Sequence, residues 1–301
     1  MTFDLVIDII HILRREGYQN GPKTESALTA TDPSLPRSPE GQASDRSRRF
    51  ASLRSIVALM LREMSTRYGR TPGGYIWALV EPIGAIIVLS AVFSLIIRTP
   101  PIGNSFVLFY ASGFLPFTIA SNVAGQVQNA ITFSKPLLFY PAVSWIDAIL
   151  ARFVLNFLTG MVVLVIVFFA VLQFTDATAI LEFGPMILAV CMAGLLGLGL
   201  GVLNCLLVGL FPAWGQIWGI VTRPLFLVAG VIFLYENLPE NVQGYMWYLP
   251  WIHITGAFRA GVYPGYEPDY VSVLLVLAWS LIPLALGLVL LRRYHQDILN
   301  R

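Results

Sequence analysis

Charge is what this sequence has least of. Charged residues fill 12% of its 301 positions and hydrophobic residues 56%, whereas a soluble domain carries about 25% charged residues. An ordinary soluble globule is therefore excluded, and length alone does not count domains. Cysteine is almost as scarce. Cys191 and Cys205 share one long apolar run; on a helix they lie roughly 21 Å apart along the axis, too far to bond. His11, His253 and His295 are scattered, without partners at metal-ligand spacing. Lysine occurs only as Lys23 and Lys135, neither after a glycine, which excludes a phosphate-binding P-loop. Any ATP-driven work then needs a separate ATPase chain. No paired carboxylates, G-x-S-x-G or metal cluster stand out, so the chain is expected to be no enzyme and to bind no cofactor or metal itself.

What is present is apolar length. Six runs are long enough to cross a hydrocarbon core as helices of about 20 residues. They cover 75–97, 106–125, 149–174, 184–211, 214–235 and 270–291. Helices are required because lone spans must satisfy their backbone internally. Within the fourth run, Gly194, Gly197, Gly199 and Gly201 read as small residues that let helices pack closely in lipid.

The rest of the chain divides around these runs. Residues 1–49 read as an amphipathic segment followed by a flexible linker. In MTFDLVIDIIHILRREG, Asp4 and Asp8 interrupt the apolar part and the arginines follow it, the reverse of a cleavable signal. The linker, rich in proline and polar residues, cannot bury enough surface to fold alone. Residues 50–70 predict an amphipathic interface helix with an apolar stripe of Phe50, Leu53, Ile56, Val57, Met60, Met64 and Tyr68. From Arg46 to Arg70, seven arginines face one acid, Glu63, a net charge of +6. Such a helix is expected among lipid phosphates. Residues 71–301 form the membrane domain.

Six crossings put both termini on one side. That side carries twelve basic residues, from Arg46 to Arg70 and at Lys135, Arg152, Arg292, Arg293 and Arg301, against Arg98 and Arg259 opposite. The bias makes it the cytoplasmic side. There, the 126–148 connection predicts a short helix that turns at Lys135-Pro136 and again at Tyr140-Pro141. Asp147 and Arg152 read as an ion pair at the mouth of the third span. On the outer side, 236–269 has apolar pieces that suit short re-entrant or interfacial helices. Its Trp247, Tyr248, Trp251, Tyr263 and Tyr266 suit headgroup depth. Arg223, deep in the fifth span, is a functional candidate by its cost there: it could pair with Glu81, bind an anionic substrate or snorkel inward. Glu81-Pro82 interrupts the first span near its inner boundary, with Gly73-Gly74 marking the bend into it.

Two motifs then point to a family. Arg67, Tyr68, Arg70, Gly74, Tyr75, Trp77, Ala78, Leu79, Glu81 and Pro82 make R-Y-x-R-x-x-x-G-Y-x-W-A-L-x-E-P, and residues 132–141 read TFSKPLLFYP. In register with the span pattern, they resemble the permease of ABC-2 type (type V-like) exporters, in the branch that exports capsular polysaccharide. The resemblance covers roughly 50–301. It implies an all-α polytopic bacterial inner-membrane protein, a homodimer bound to two cytoplasmic ATPase subunits that hold ATP and Mg. The substrate would be a lipid-linked polysaccharide, with periplasmic and outer-membrane export partners and no nucleic acid. Coupling to the ATPase would fall to Lys135, Pro136, Leu137, Leu138, Phe139 and Tyr140, with Arg62 and Arg67 on the interface helix. The pathway or its outer gate would involve Tyr75, Trp77, Glu81, Arg98, Arg223, Trp247, Trp251, Arg259 and Tyr263. Other lipid-linked glycans, such as O-antigen or teichoic acid, or a small drug, stay open as cargo. A secondary transporter or channel predicts internal repeats, which are not found. A membrane glycosyltransferase predicts an acidic metal motif, where the 126–148 loop has only Asp147.

Overall fold

The computed structural model describes residues 51–68, 74, 76–139, 143–175 and 181–300. Residues 1–49, Phe50, Tyr75, Tyr140 and the side chain of Arg67 lie outside this description, as does the bend at Gly73. Among the described residues every regular element is helical: α1 (Ala51–Tyr68), α2 (Ile76–Ile96), α3 (Phe106–Val127), α4 (Ala130–Leu138), α5 (Trp145–Phe174), α6 (Phe183–Leu210), α7 (Trp214–Val228), α8 (Glu240–Met246), α9 (Pro250–Ala260) and α10 (Val273–Asn300). A single 3-10 turn, Tyr235–Asn237, precedes α8.

Five helical stretches are long and apolar enough to cross a membrane. The run expected to span 214–235 is not one helix. The helix in it, α7, has 15 residues, about 22 Å long at 1.5 Å per residue, short of a roughly 30 Å core. It ends before Gly230, whose φ of 74° is a left-handed value that glycine adopts freely.

The core is α3 and α6, the two most enclosed spans. They run parallel: a Cβ on Gly197 would lie 2.7 Å from the Ala120 carbonyl oxygen, and one on Gly201 2.7 Å from Val127 Cβ. The expectation for this small-residue run holds, since the glycines stand where helices touch. On its other side α6 meets α10, also parallel, at Gly199 against the Ser280 backbone and at Gly287 against Val202 and Leu203. The antiparallel helices are α2, where Phe93 meets Tyr110 at 5.4 Å, and α5, where Gly160 faces Ile119.

Because α6 and α10 are parallel, residues 211–272 must return from the end of one to the beginning of the other. The trace starts against α6 and then follows α3. Trp214 Nε1 donates to Asn204 Oδ1 at 2.9 Å; Phe226 lies 5.8 Å from both Phe114 and Phe117; Val231 backs onto Gly113; and Leu234 joins Phe109 and Tyr110. Helix α7 covers the first part of this trace, and non-helical backbone covers 229–234.

That backbone is satisfied by α9. Arg259 is 1% exposed. Its Nη1 donates to the Gly230 and Phe233 carbonyls at 2.7 and 3.1 Å, and its Nη2 to Val231 at 3.0 Å. Thr255 Oγ1 donates to the Ala229 carbonyl at 3.1 Å. The guanidinium lies 4.1 Å over the Phe109 ring. Buried irregular backbone needs protein partners to replace the missing helical bonds, and α9 supplies them here.

At the opposite end, the 126–148 connection departs from expectation. It does not turn at Lys135-Pro136; α4 runs through Pro136 to Leu138. Helix α1 packs Ile56, Leu59 and Met60 against Ala148 and Ala151 of α5. Of the expected stripe, Leu53 and Val57 stay exposed. Nor do Asp147 and Arg152 pair with each other. Asp147 closes a capping box with Ser144 and accepts from Ser52 Oγ, while Arg152 pairs with Glu63 at 3.2 Å.

Candidate functional site

The spans are apolar, so polar side chains held together between them mark a site. Helix α3 supplies most of them. Phe114, Thr118 and Asn122 recur four residues apart, so they stack on one face; Ser121 and Gln128 flank them. This stripe forms the floor of a groove of about 410 Å³ between α3 and α7, walled by Trp218, Thr222, Arg223, Phe226 and Trp251. The same floor continues into a cavity of about 130 Å³ toward α2 and α5, lined by Glu81, Asn156 and Thr159 as well as Thr118 and Asn122. That cavity is polar and roomy enough for ordered waters.

Glu81 and Arg223, which could have paired, stand on opposite sides of the floor. Both are exposed. The surrounding helices are open too: α7 has no buried residue, and α2 is the least enclosed span. Pro82 is accommodated inside an unbroken α2.

Other expected pathway residues scatter. Trp251 reaches the groove. Trp77 is exposed on α2, and Arg98 is exposed just beyond its end. Arg259 and Tyr263 are buried; Arg259, read as an outer cation open to an anionic polymer, spends its donors on carbonyls. Trp247 donates through Nε1 to the Tyr270 carbonyl at 3.1 Å, within an aromatic cap formed by α8, α9 and the turns before α10.

His253 pins this cap. Its Nδ1 accepts from the Ser272 amide at 3.2 Å, so the proton sits on Nε2, 2.7 Å from the Trp247 carbonyl. Burial holds the ring below its ordinary pKa of 6.5. Neutral histidine is thus favoured in the folded state, and its contribution is complete above the unfolded value and lost as pH falls below it. The thermal midpoint should drop more between pH 7 and pH 5 for the parent than for His253→Gln; equal slopes would contradict this. Nearby, burial and then the Tyr270 and Glu236 neighbours raise Tyr266, whose hydroxyl donates to Glu236 at 3.0 Å.

At the other end of the bundle, α4 buries Ala130, Ile131 and Ser134. Leu137 and Leu138 pack on the α1–α5 contact. Pro136 and Phe139 point outward, Phe139 being 64% exposed, and Lys135 is half-buried. Arg62 is half-buried, its guanidinium 5.4 Å from the Phe133 ring.

The groove residues Thr118, Ser121, Asn122 and Gln128 were not anticipated. Their signal was in the sequence, as polar residues at i, i+3 and i+4 inside an apolar run.

Comparison with known proteins follows the same outline. Residues 54–263 match the family described as ABC-2 type transporter. The polysialic acid transport protein KpsM of Escherichia coli is 28% identical over 246 residues, 82% of this chain and 95% of that protein. The capsule polysaccharide export inner-membrane proteins CtrC of Neisseria meningitidis serogroup A and BexB of Haemophilus influenzae are each 28% identical, covering 81% of this chain and 92% of theirs.

Proposed function

The chain belongs to the ABC-2 type transporter family, and from that premise we propose that it is the membrane permease of a capsular polysaccharide exporter in a bacterial inner membrane. The observation that carries this reading is the match to two capsule polysaccharide export proteins and a polysialic acid transport protein along more than nine-tenths of their length. ATP is hydrolysed by a separate subunit, in keeping with the missing P-loop.

The polymer passes along the groove on α3. Hydroxyl and amide side chains there exchange hydrogen bonds with sugar hydroxyls, and Phe114, Trp218, Phe226 and Trp251 offer faces for sugar rings. A second copy of the chain covers the open α2 and α7 walls, so that two grooves enclose one path. Residues 214–234 make the fifth of six crossings, which leaves α1 and α4 on the cytoplasmic side. The exposed Pro136 and Phe139, with Lys135, receive the ATPase, and α8 and α9 close the outer end beside the periplasmic partners.

Deletion of the gene should leave polymer inside the cell and strip it from the surface; unchanged surface glycan would reject the reading. In the complex, Phe139→Ala with Lys135→Ala should lower export by about tenfold, within the usual range of coupling energies, while the chain still inserts. Surface polymer per molecule of permease measures the effect, and full export from the double variant would remove α4 from the coupling role.

A further inference from the structure

Helix α4 has nine residues, too few to hold an orientation by its own helicity. Its direction is fixed by what its inner face touches. Phe133 on that face lies under two guanidiniums, with Arg152 at 4.3 Å and Arg62 at 5.4 Å from the ring centre.

Arg152, on α5, makes two further contacts that matter here. Its Nη1 donates to the Gln126 carbonyl at 2.7 Å, at the end of α3, where cations are favoured; the same carbonyl also accepts from the Asn129 amide at 3.2 Å. Its Nε lies 3.2 Å from Glu63 Oε2 of α1, and both side chains are nearly inaccessible, at 7% and 4%. A single guanidinium thus ties together α1, α3, α4 and α5. The Ser52–Asp147 contact holds α1 to α5 a second time, about three turns away along α1 and about one and a half along α5.

We propose that Arg152 is the positioning residue that transmits movement of α1 and α4 to α3, and so to the groove floor. The physical basis is the cost of separation. Once buried, neither member of the Glu63–Arg152 pair can leave the other without losing Coulomb attraction that no hydration replaces. Close-packed contacts shift as units and do not absorb displacement. A push on Phe133 or on α1 therefore reaches the α3 terminus through one rigid fork. This rests on the reading of α4 as the ATPase contact.

The test compares export with ATP hydrolysis in the full permease–ATPase complex. Arg152→Gln should lower polymer exported per ATP hydrolysed by about tenfold, inside the range of known coupling energies. The ATPase should still co-purify and hydrolyse ATP at a rate within about twofold of the parent, since no contact with nucleotide is altered. Arg152→Lys keeps the charge but not the fork, and should recover only part of the ratio. Glu63→Gln combined with Arg152→Gln should be no worse than the poorer single variant, as expected for partners in one interaction. Equal losses of export and hydrolysis would reduce Arg152 to a folding role, and an unchanged ratio would overturn the proposal outright. If Arg152→Gln does not accumulate, Phe133→Leu at the half-buried ring gives the same comparison. A parent complex without ATPase, or without glycan export, would defeat the proposed function instead, and is seen before any variant is made.

Discussion

Arg259→Met should lower stability by about 3–5 kcal/mol, the cost of stranding several buried carbonyl groups at once. Methionine fills much of the volume, so the loss isolates the hydrogen bonds. Gly230, Val231 and Phe233 lose the donors that hold their carbonyls, and no water reaches a site 1% exposed. In detergent the thermal midpoint should fall by about 10 °C. Arg259→Lys should fall between, because a point-like ammonium cannot serve three carbonyls in a fork. A methionine variant as stable as the parent would show that this backbone finds other partners.

The second large effect lies at the α6–α10 contact. A Cβ on Gly199 would collide with the backbone carbonyl of Ser280. Backbone cannot rotate aside as a side chain can, so the helices must part along a seam that continues to Gly287. Gly199→Ala should cost about 1–3 kcal/mol as an overpacked site, and Gly199→Leu more. Gly84 is an internal control: it is also helical, but nothing lies within 4 Å of its added Cβ. Gly84→Ala should be neutral, or gain up to about 1 kcal/mol from reduced backbone entropy. Thermal midpoints of the three variants decide the matter. Equal effects at Gly84 and Gly199 would mean the contact is not rigid.

Features carried by local sequence were legible in advance. Long apolar runs announce spans because lipid demands uninterrupted backbone bonding, and clustered glycines announce close contacts because nothing else is small enough. Features set by distant residues were not. Arg259 sits in a loop-like, aromatic stretch and reads as an exposed cation; its partners lie 26 to 29 residues earlier. The same holds for Arg152, five residues from Asp147 and apparently matched to it, yet satisfied by Glu63 across a helix interface. The stripe on α1 was rotated because the α5 surface, and not the helix alone, selects which face is buried. The floor on α3 was missed for a different reason. Thr118 and Asn122 were there to be seen, but single polar residues in a span gain meaning only when the facing helices leave space beside them.

The break at Gly230 also has a temporal side. Helix α7 is short and contains Arg223, a residue that resists transfer into lipid by roughly 2.5–3.5 kcal/mol near mid-depth. As it leaves the ribosome it is a poor independent insertion signal. The groups that complete it, Thr255 and Arg259, are synthesised some 25 residues after Gly230. The backbone at 229–233 therefore cannot reach its final hydrogen bonding until α9 has been made, so this part of the fold is completed out of sequence order.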